Sequence, residues 1–167
     1  MSRDVSFTDP VLRLSSVEPV AVGHLRCVYQ HPHEPSALIK VMRPDAIAKR
    51  WNAPGRWAKR LPRTRHYVQY LRELKEFIVA RARAPGIDVP IARMIGLVDT
   101  DLGLGIVSEK VVDESGALAP TLAAVYAKRG FTPELDAALA TFSRDLLAAN
   151  VIVGDMHAWN IVLGTDS

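Results

Sequence analysis

Hydrophobic residues recur with strand-like spacing through the first part of the chain. Residues 11–22 alternate loosely between apolar and polar positions and contain Pro19, which favours an edge strand. A second strand is predicted over residues 24–29, and a third, apolar except for one lysine, over residues 37–42. The pattern therefore predicts a β-meander at the start of the protein.

The spacing of the apolar residues changes to three- and four-residue steps between positions 64 and 83, which predicts one long amphipathic helix. The apolar face expected for this helix consists of Tyr67, Tyr70, Leu71, Leu74, Phe77 and Ile78. Ala84, Pro85 and Gly86 follow and are expected to end it.

Two further strands and two further helices are expected after this helix. The strands are predicted at residues 90–98 and 105–112, and a short helix at 120–129. Thr132 and Pro133 have the residue types of an N-cap and a first helical position, so a second helix is expected to begin there and run towards residue 150. The whole pattern predicts five strands and one long helix, followed by a helical segment.

Residues 43–65 differ from the rest of the chain in composition. Eight basic residues are crowded there with Trp51 and Trp57, and Asp45 is the single acid. Prolines and a glycine interrupt the stretch, which predicts a loop with one or two helical turns. Basic residues among aromatics can bind phosphates or stack on bases. We favour the alternative, a solvated insertion whose tryptophans pack on the domain, and do not expect nucleic acid as a partner.

The composition narrows the class of protein. The chain has 167 residues, of which 49% are hydrophobic, enough for one well-packed core. No apolar run approaches the length of a membrane span, and the N-terminus has no apolar signal region. A single cysteine, Cys27, excludes an internal disulfide and a cysteine zinc cluster. The net charge of +3 permits an anionic ligand, and we expect a cytoplasmic protein.

Candidate chemistry is concentrated near the end of the chain, in residues 151–163. Two β-branched runs, expected to be strands, flank a polar loop that Gly154 and Asp155 open and Asn160 closes. The acid can orient a hydroxyl or accept its proton, and the amide oxygen is a neutral, hard ligand for Mg²⁺. The alternative is a β-hairpin in which the Asp and the Asn make only turn hydrogen bonds.

Lys40 interrupts an otherwise apolar predicted strand, and lysine is rarely fully buried without a partner. Alternation along the strand puts Lys40 on one face with Leu38 and Met42. A strand lysine that faces a cleft can hold phosphates and pair with a glutamate on a helix. Glu73 is the candidate partner and Glu76 the alternative. A lysine at a sheet edge, with its head in solvent, is the other interpretation.

Gly23 lies at the bend between the first two predicted strands. A glycine there allows backbone N–H groups to approach phosphates closely, which a Cβ would hinder. Of the pattern G-x-G-x-x-G-x-V, only Gly23 and Val28 remain, because Ala21 and Arg26 stand at the outer glycine positions. An ordinary hairpin turn is the alternative.

The order of these features resembles a protein-kinase-like fold, and the loop is closest to the G-D-x-H-x-x-N form of aminoglycoside kinases. More narrowly, the chain resembles the bacterial YrbL family, named for its link to the PhoP regulatory network. The residues that carry this resemblance are Gly23, Val28 to Pro32, Ile39-Lys40, Arg72-Glu73-Leu74, Gly96, Asp99 to Asp101 and Asn160-Ile161.

The resemblance implies an α+β, protein-kinase-like fold in two parts. Residues 1–112 would form a five-stranded antiparallel small lobe with one long helix, which binds nucleotide. Residues 113–167 would form the helical start of a truncated large lobe that carries the catalytic loop.

The resemblance also implies ATP as a ligand and assigns residues to it. Lys40 would contact the phosphates and pair with Glu73. The backbone of Glu109 and Val111 would hydrogen-bond the adenine. The side chains implied above and below the base are Val28 and Val162.

For the transfer step, the resemblance implies Mg²⁺ and three loop residues. Asp155 would be the catalytic acceptor, Asn160 a Mg²⁺ ligand, and His157 would lie near the γ-phosphate. The chain departs from the kinase pattern at Val153, where histidine is usual. It also reaches Ser167 before the position of a second metal-binding Asp, since Asp166 reads as a turn residue.

Two functional hypotheses follow from this resemblance and these departures. The first is an ATP-dependent phosphotransferase whose acceptor, a small molecule or a protein, the sequence does not identify. The second is a non-catalytic kinase-like regulatory protein that binds a nucleotide or a protein partner.

Overall fold

The computed structural model describes residues 11–51, 67–83, 89–154 and 156–164. Within them the chain is α+β, with one five-stranded antiparallel sheet and four helices, so the predicted class and sheet are confirmed. In chain order the elements are β1 (Ala21–Val22), β2 (Arg26–Gln30), β3 (Ala37–Met42), α1 (Pro44–Trp51), α2 (Val68–Arg83), β4 (Met94–Thr100), β5 (Gly103–Glu109), α3 (Leu122–Arg129) and α4 (Pro133–Ala148).

The described residues form two compact units. The first holds the described residues up to Tyr70 together with Met94–Glu109, and the second holds Leu71–Arg93 and the described residues from Lys110 onwards. The boundary falls inside α2, close to its start. The division into a small lobe of residues 1–112 and a large-lobe start of residues 113–167 stays a prediction.

The sheet belongs to the first unit and has the strand order β1-β2-β3-β5-β4. Its first three strands form the predicted meander, and β3 spans the predicted residues 37–42. Every residue of β3 is buried except Lys40, which is half-buried. A strand buried on both faces requires an apolar run, which is why this element could be located from sequence.

The two faces of the sheet carry separate hydrophobic clusters. On one face, Ile39 and Val41 pack with Val107 and with the N-terminal residues Leu12 and Leu14. On the other face, the buried residues are Met42, Tyr70 and Ile106, with Leu25, Ile47 and Met94 packed against them. The first turn of α2 and part of α1 therefore cover the face that also carries Lys40.

Residues 11–22 do not form the long edge strand expected from their alternation. Only Ala21–Val22 is a strand, and Leu12 makes an isolated parallel bridge to Thr100. The Asp101 carboxylate explains where the pairing stops, because it accepts hydrogen bonds from the N–H of Leu14 at 2.7 Å and the hydroxyl of Ser15 at 2.6 Å. The pKa of Asp101 is lowered below its ordinary value, mainly by the hydrogen bond from the Ser15 hydroxyl and to a smaller extent by that from the N–H of Leu14.

The last two strands are displaced from their predicted positions of 90–98 and 105–112. Val89 and Ile91 pack instead with Ala80 and Ala149 in the second unit, so β4 begins only at Met94. The turn between the strands is tight, with Thr100 opposite Gly103, whose φ of 107° favours glycine. β5 correspondingly starts two residues earlier than expected and ends at Glu109.

The helix α1 supplies the helical turns predicted within the basic stretch, and Trp57 lies outside the described residues. The buried face of α2 is rotated from the predicted one, since Leu71 and Ile78 are 48% and 55% exposed while Tyr70 and Ala80 are buried. Ala80 packs there with Val89 and Ala149. The prediction missed it because the helical face was predicted from the large apolar residues, and alanine is small.

The helices α3 and α4 of the second unit each begin at a threonine N-cap. Thr132 accepts from the N–H of Leu135 at 3.3 Å and Pro133 opens α4, as predicted. Thr121 accepts from the N–H of Ala124 at 3.2 Å and starts α3. No helix in the described parts of the chain combines the length and hydropathy that crossing a membrane requires.

Candidate functional site

Lys40 lies at the centre of the sheet, on the face covered by the start of α2. Its register partners are Val28 on β2 and Ile106 on β5, and the side chains of such partners share a face. Val28 and Lys40, two residues assigned to the nucleotide, are therefore cross-strand neighbours. The sheet-edge interpretation of Lys40 is wrong, because β3 has a strand on each side.

Tyr70, in the first turn of α2, contacts the strand at this lysine. Its hydroxyl donates to the carbonyl of Lys40 at 2.8 Å and lies 3.2 Å from the carbonyl of Leu104. The sequence pattern included Tyr70 only as part of an apolar face. A tyrosine within an apolar face is the signal that could have indicated this contact, since a buried tyrosine usually finds a partner for its hydroxyl.

Glu73 lies one helical turn after Tyr70, in the second unit. It is half-buried and occupies the same stripe of α2 as the buried residues Tyr70 and Ala80. The alternative, Glu76, is half-buried as well. The ion pair between Lys40 and Glu73 stays a prediction.

The turn between β1 and β2 is closed by a hydrogen bond from the N–H of Gly23 to the carbonyl of Arg26, at 2.8 Å. A Cβ on Gly23 would lie 3.3 Å from that carbonyl oxygen, which is a tight approach. In the described part of the protein, the N–H groups of His24 and Leu25 donate to no acceptor. These two N–H groups, rather than that of Gly23, are the donors that the turn offers to a ligand.

Glu109 and Val111 lie at the end of the sheet and just beyond it. Glu109 is exposed and is the last residue of β5, opposite Ala37. The carbonyl of Val111 accepts from the N–H of Ala119 at 3.0 Å. Since that carbonyl already accepts a hydrogen bond within the protein, the predicted contact of Val111 with a base would be made by its N–H.

Ser108 carries a buried hydroxyl without a hydrogen-bond partner, which is unusual in the described residues. It is 2% exposed and lies opposite Leu38, on the same sheet face as Lys40. An unpaired hydroxyl in such a position normally costs about 1–3 kcal/mol. The sequence pattern gave no signal for it, because a serine near the end of a strand is common.

The described end of the polar loop, with Ile161 directly after it, is anchored at the N-terminus of α3. The first N–H groups of a helix have no acceptor inside the helix. Here the N–H of Leu122 donates to the carbonyl of Ile161 at 2.8 Å, and that of Ala123 to the carbonyl of Ala158 at 2.9 Å. The loop backbone therefore caps α3, and α3 fixes the loop.

Gly164 follows the loop at a position where its close packing against Val111 and Val112 leaves no room for a Cβ. A Cβ on Gly164 would overlap Cγ1 of Val111 and lie 3.0 Å from the carbonyl oxygen of Val112. The chain passes this close because the N–H of Leu163 donates to the carbonyl of Pro120 at 2.9 Å. Backbone contacts thus hold this part of the chain at Ala158 and Ile161, on α3, and at Leu163, on Pro120.

The two β-branched runs that flank the loop do not form the expected strands. Residues 151–153 have no strand pairing, and Val162 makes only an isolated bridge to Thr121. The N–H of Val151 instead donates to the carbonyl of Leu146 at the end of α4, and Ile152 is 71% exposed. The runs on either side of the loop therefore do not pair as the strands of a β-hairpin. The roles of Asp155 and Asn160 stay a prediction. Asp155 itself lies outside the described residues.

The structure brings His157 and Asn160 together. The side-chain amide nitrogen of Asn160 lies 3.3 Å from Nε2 of His157, and the N–H of Trp159 lies 3.3 Å from Nδ1 of the same ring. A neutral imidazole has one acceptor nitrogen, so these two contacts are alternatives set by the tautomer. When Nε2 is the acceptor, the amide nitrogen of Asn160 is the group turned to the ring.

In the described parts of the chain, no group of three or more His, Cys, Asp or Glu side chains could hold a metal ion. Asn160 supplies one hard oxygen, and Asp155 lies outside the described residues. Mg²⁺ usually takes one or two protein ligands and completes its shell with substrate phosphates and waters. Binding of Mg²⁺ at this loop therefore stays a prediction.

These features define an α+β protein with a lysine on the central strand of its sheet and an Asn-containing loop fixed at a helix N-terminus. The chain belongs to the YrbL family: residues 12–167 match the family described as PhoP regulatory network protein YrbL. Comparison with curated proteins and with solved structures gave no match.

Proposed function

We propose that this YrbL-family protein is an ATP-dependent phosphotransferase of the protein-kinase-like class, acting on a small-molecule or protein acceptor. The observation that carries the proposal is Lys40. It is half-buried on the central strand of a five-stranded sheet, on the face that also carries the cluster around Tyr70. A protein kinase likewise has its nucleotide-binding lysine on the third strand of its small lobe.

The arrangement of elements in the first unit supports the same proposal. Three antiparallel strands are followed by helices and then by two more strands, and the turn between β1 and β2 offers two backbone N–H groups. In a kinase, a loop at this place in the chain order covers the phosphates, and the helix supplies a glutamate to the lysine. Glu73 is the residue proposed for that role.

The loop of the second unit would supply the transfer chemistry. Asp155 would align the acceptor hydroxyl and accept its proton, and Asn160 would hold Mg²⁺ that arrives with the nucleotide phosphates. Phosphoryl transfer depends mainly on positioning and on neutralising charge. The backbone anchor at α3 is a suitable support, because it fixes the loop without using either side chain.

Calorimetry with ATP and Mg-ATP, combined with an ATP-hydrolysis assay, tests the proposal. We expect the wild type to bind Mg-ATP at millimolar concentrations or below. Lys40→Met should weaken Mg-ATP binding about tenfold or more, whereas Lys75→Met, on an exposed position of α2, should leave binding within about twofold.

The loop variants separate binding from chemistry. Asp155→Ala should keep Mg-ATP affinity near that of the wild type and abolish hydrolysis. Asn160→Ala should weaken binding of Mg-ATP but not of metal-free ATP. A wild type that gives no heat with Mg-ATP and no hydrolysis would refute the proposal.

A second candidate is a non-catalytic regulatory protein that binds a nucleotide or a protein partner. The observation that favours it is the turn between β1 and β2, whose one glycine uses its N–H within the protein. The same assays distinguish the two candidates. Binding of Mg-ATP without any hydrolysis or transfer, unchanged by Asp155→Ala, would favour the regulator.

A further inference from the structure

The turn between β1 and β2 is tied to a residue from the far end of β3. Arg43 directly follows that strand, and its N–H donates to the carbonyl of Leu25 at 2.9 Å. Its guanidinium Nη1 donates to the carbonyl of Gly23 at 3.2 Å. Two carbonyls of one four-residue turn therefore accept hydrogen bonds from a single arginine.

The guanidinium is itself held in place by Asp45. Nε donates to Oδ1 at 3.1 Å and Nη2 donates to Oδ2 at 2.6 Å, which is a two-point contact between planar groups. This contact raises the pKa of Arg43 and lowers the pKa of Asp45. Asp45 lies in the first turn of α1, and Ile47 of the same helix packs into the cluster around Tyr70. The arginine thus connects the turn to a helix that is anchored in the core.

We propose that Arg43 is a positioning residue that fixes the turn in the shape in which the N–H groups of His24 and Leu25 can hold phosphate oxygens. This inference rests on the proposed function. It also accounts for a departure of the sequence, because a turn without its outer glycines is held from outside by one backbone and one side-chain hydrogen bond of Arg43 rather than shaped by flexible residues within.

Amide hydrogen exchange, followed by NMR without nucleotide, tests the connection itself. The Gly23 amide, bonded to the Arg26 carbonyl, is the reporter, and the Leu12 amide, bonded to the Asp99 carbonyl in the same unit, is the internal reference. Arg43→Ala and Arg43→Lys should each speed exchange at Gly23 about tenfold and leave Leu12 unchanged. Arg13→Ala, at an exposed arginine, should change neither. Unchanged exchange at Gly23 in both Arg43 variants would overturn the inference.

Affinity for Mg-ATP then separates positioning from charge. Arg43→Lys keeps the positive charge but loses the planar fork, so positioning predicts about fivefold weaker binding, as for Arg43→Ala. Asp45→Asn is the sharper variant, because the two explanations predict opposite signs. Removing a negative charge should tighten the binding of an anion, whereas loosening the Arg43 fork should weaken it.

The outcomes are distinct for the two proposals. Weaker binding by Arg43→Lys and Asp45→Asn supports the positioning role, and wild-type affinity in Arg43→Lys or tighter binding in Asp45→Asn overturns it. If the wild type binds no Mg-ATP, the proposed function fails, and exchange at Gly23 alone decides whether Arg43 holds the turn.

Discussion

Replacing Tyr70 with Phe removes one oxygen atom from the point where α2 meets β3. The hydroxyl lies 2.8 Å from the carbonyl of Lys40 and 3.2 Å from that of Leu104, and the residue is 5% exposed. A hydroxyl has one proton, so it donates to one of these carbonyls at a time, and the shorter contact is the main one. The variant therefore loses one buried hydrogen bond and keeps the ring in the cluster.

The expected loss follows from that count. One net hydrogen bond contributes about 1 kcal/mol, and the carbonyls left facing the ring could raise the loss to about 2 kcal/mol. For a chain of this length, each kcal/mol lowers Tm by about 2–4 °C. Urea unfolding of Tyr70→Phe should therefore show an unchanged slope and a free energy of unfolding lower by about 1–2 kcal/mol.

Tyr67 provides a matched control on the same helical segment. It is 37% exposed, and its ring packs edge-to-face on Tyr70 with the centroids 5.8 Å apart, a contact that Tyr67→Phe retains. Loss of its hydroxyl should change stability by less than about 0.5 kcal/mol. An equal loss in both variants, or no loss in Tyr70→Phe, would refute the argument that the hydrogen bond from the Tyr70 hydroxyl stabilises the first unit.

Three further substitutions test the packing and charge of the first unit. Gly105→Ala should cost about 1–3 kcal/mol in urea unfolding, because a Cβ there would lie 2.7 Å from Cγ2 of Ile39, and adding Ile39→Ala should make the two losses non-additive. Asp101→Asn should remove a pH-dependent stabilisation, because hydrogen bonds from Ser15 and Leu14 lower the folded-state pKa of Asp101. This stabilisation is present above the unfolded-state pKa of about 4 and is lost as the pH falls through the folded-state pKa. Thermal melts from pH 7 to 3 should therefore converge for variant and wild type at the acid end. Ser108→Ala should leave thermal stability unchanged or raise it by about 1 kcal/mol, since the hydroxyl removed has no partner in the described residues, and a loss above about 1 kcal/mol would show that it has one.

The elements that could be predicted well are those whose residues are compatible with only one arrangement. The strand at residues 37–42 is apolar on both faces, so it belongs at the centre of a sheet, and the half-buried exception is the lysine on which the proposed function depends. Thr132 caps the start of α4 by accepting from the N–H of Leu135, and Pro133 fits the first helical position, so both contributions are local. In both cases the deciding interactions are local, or follow from burial alone.

The elements predicted wrongly depend on partners that are distant in sequence. The apolar run around Val89 resembles a strand until Ala80 and Ala149 are seen to pack against it. Residues 151–153 have strand composition, yet the N–H of Val151 bonds back to α4, and no strand in the described residues pairs with them. A period of two indicates that a strand is possible, but it does not show whether a neighbouring strand is present.

The same distinction applies to the turn that the proposed function needs. Counting glycines between residues 21 and 26 measures how freely the turn can bend, and by that measure it is a poor phosphate loop. The structure shows that Arg43, which follows β3, donates hydrogen bonds to two carbonyls of the turn while Asp45 holds the arginine. Because these contacts depend on the β2–β3 pairing, a local motif cannot detect them. Arg43 and Asp45 should therefore be assessed together with Gly23 when the nucleotide-binding capacity of this protein is measured.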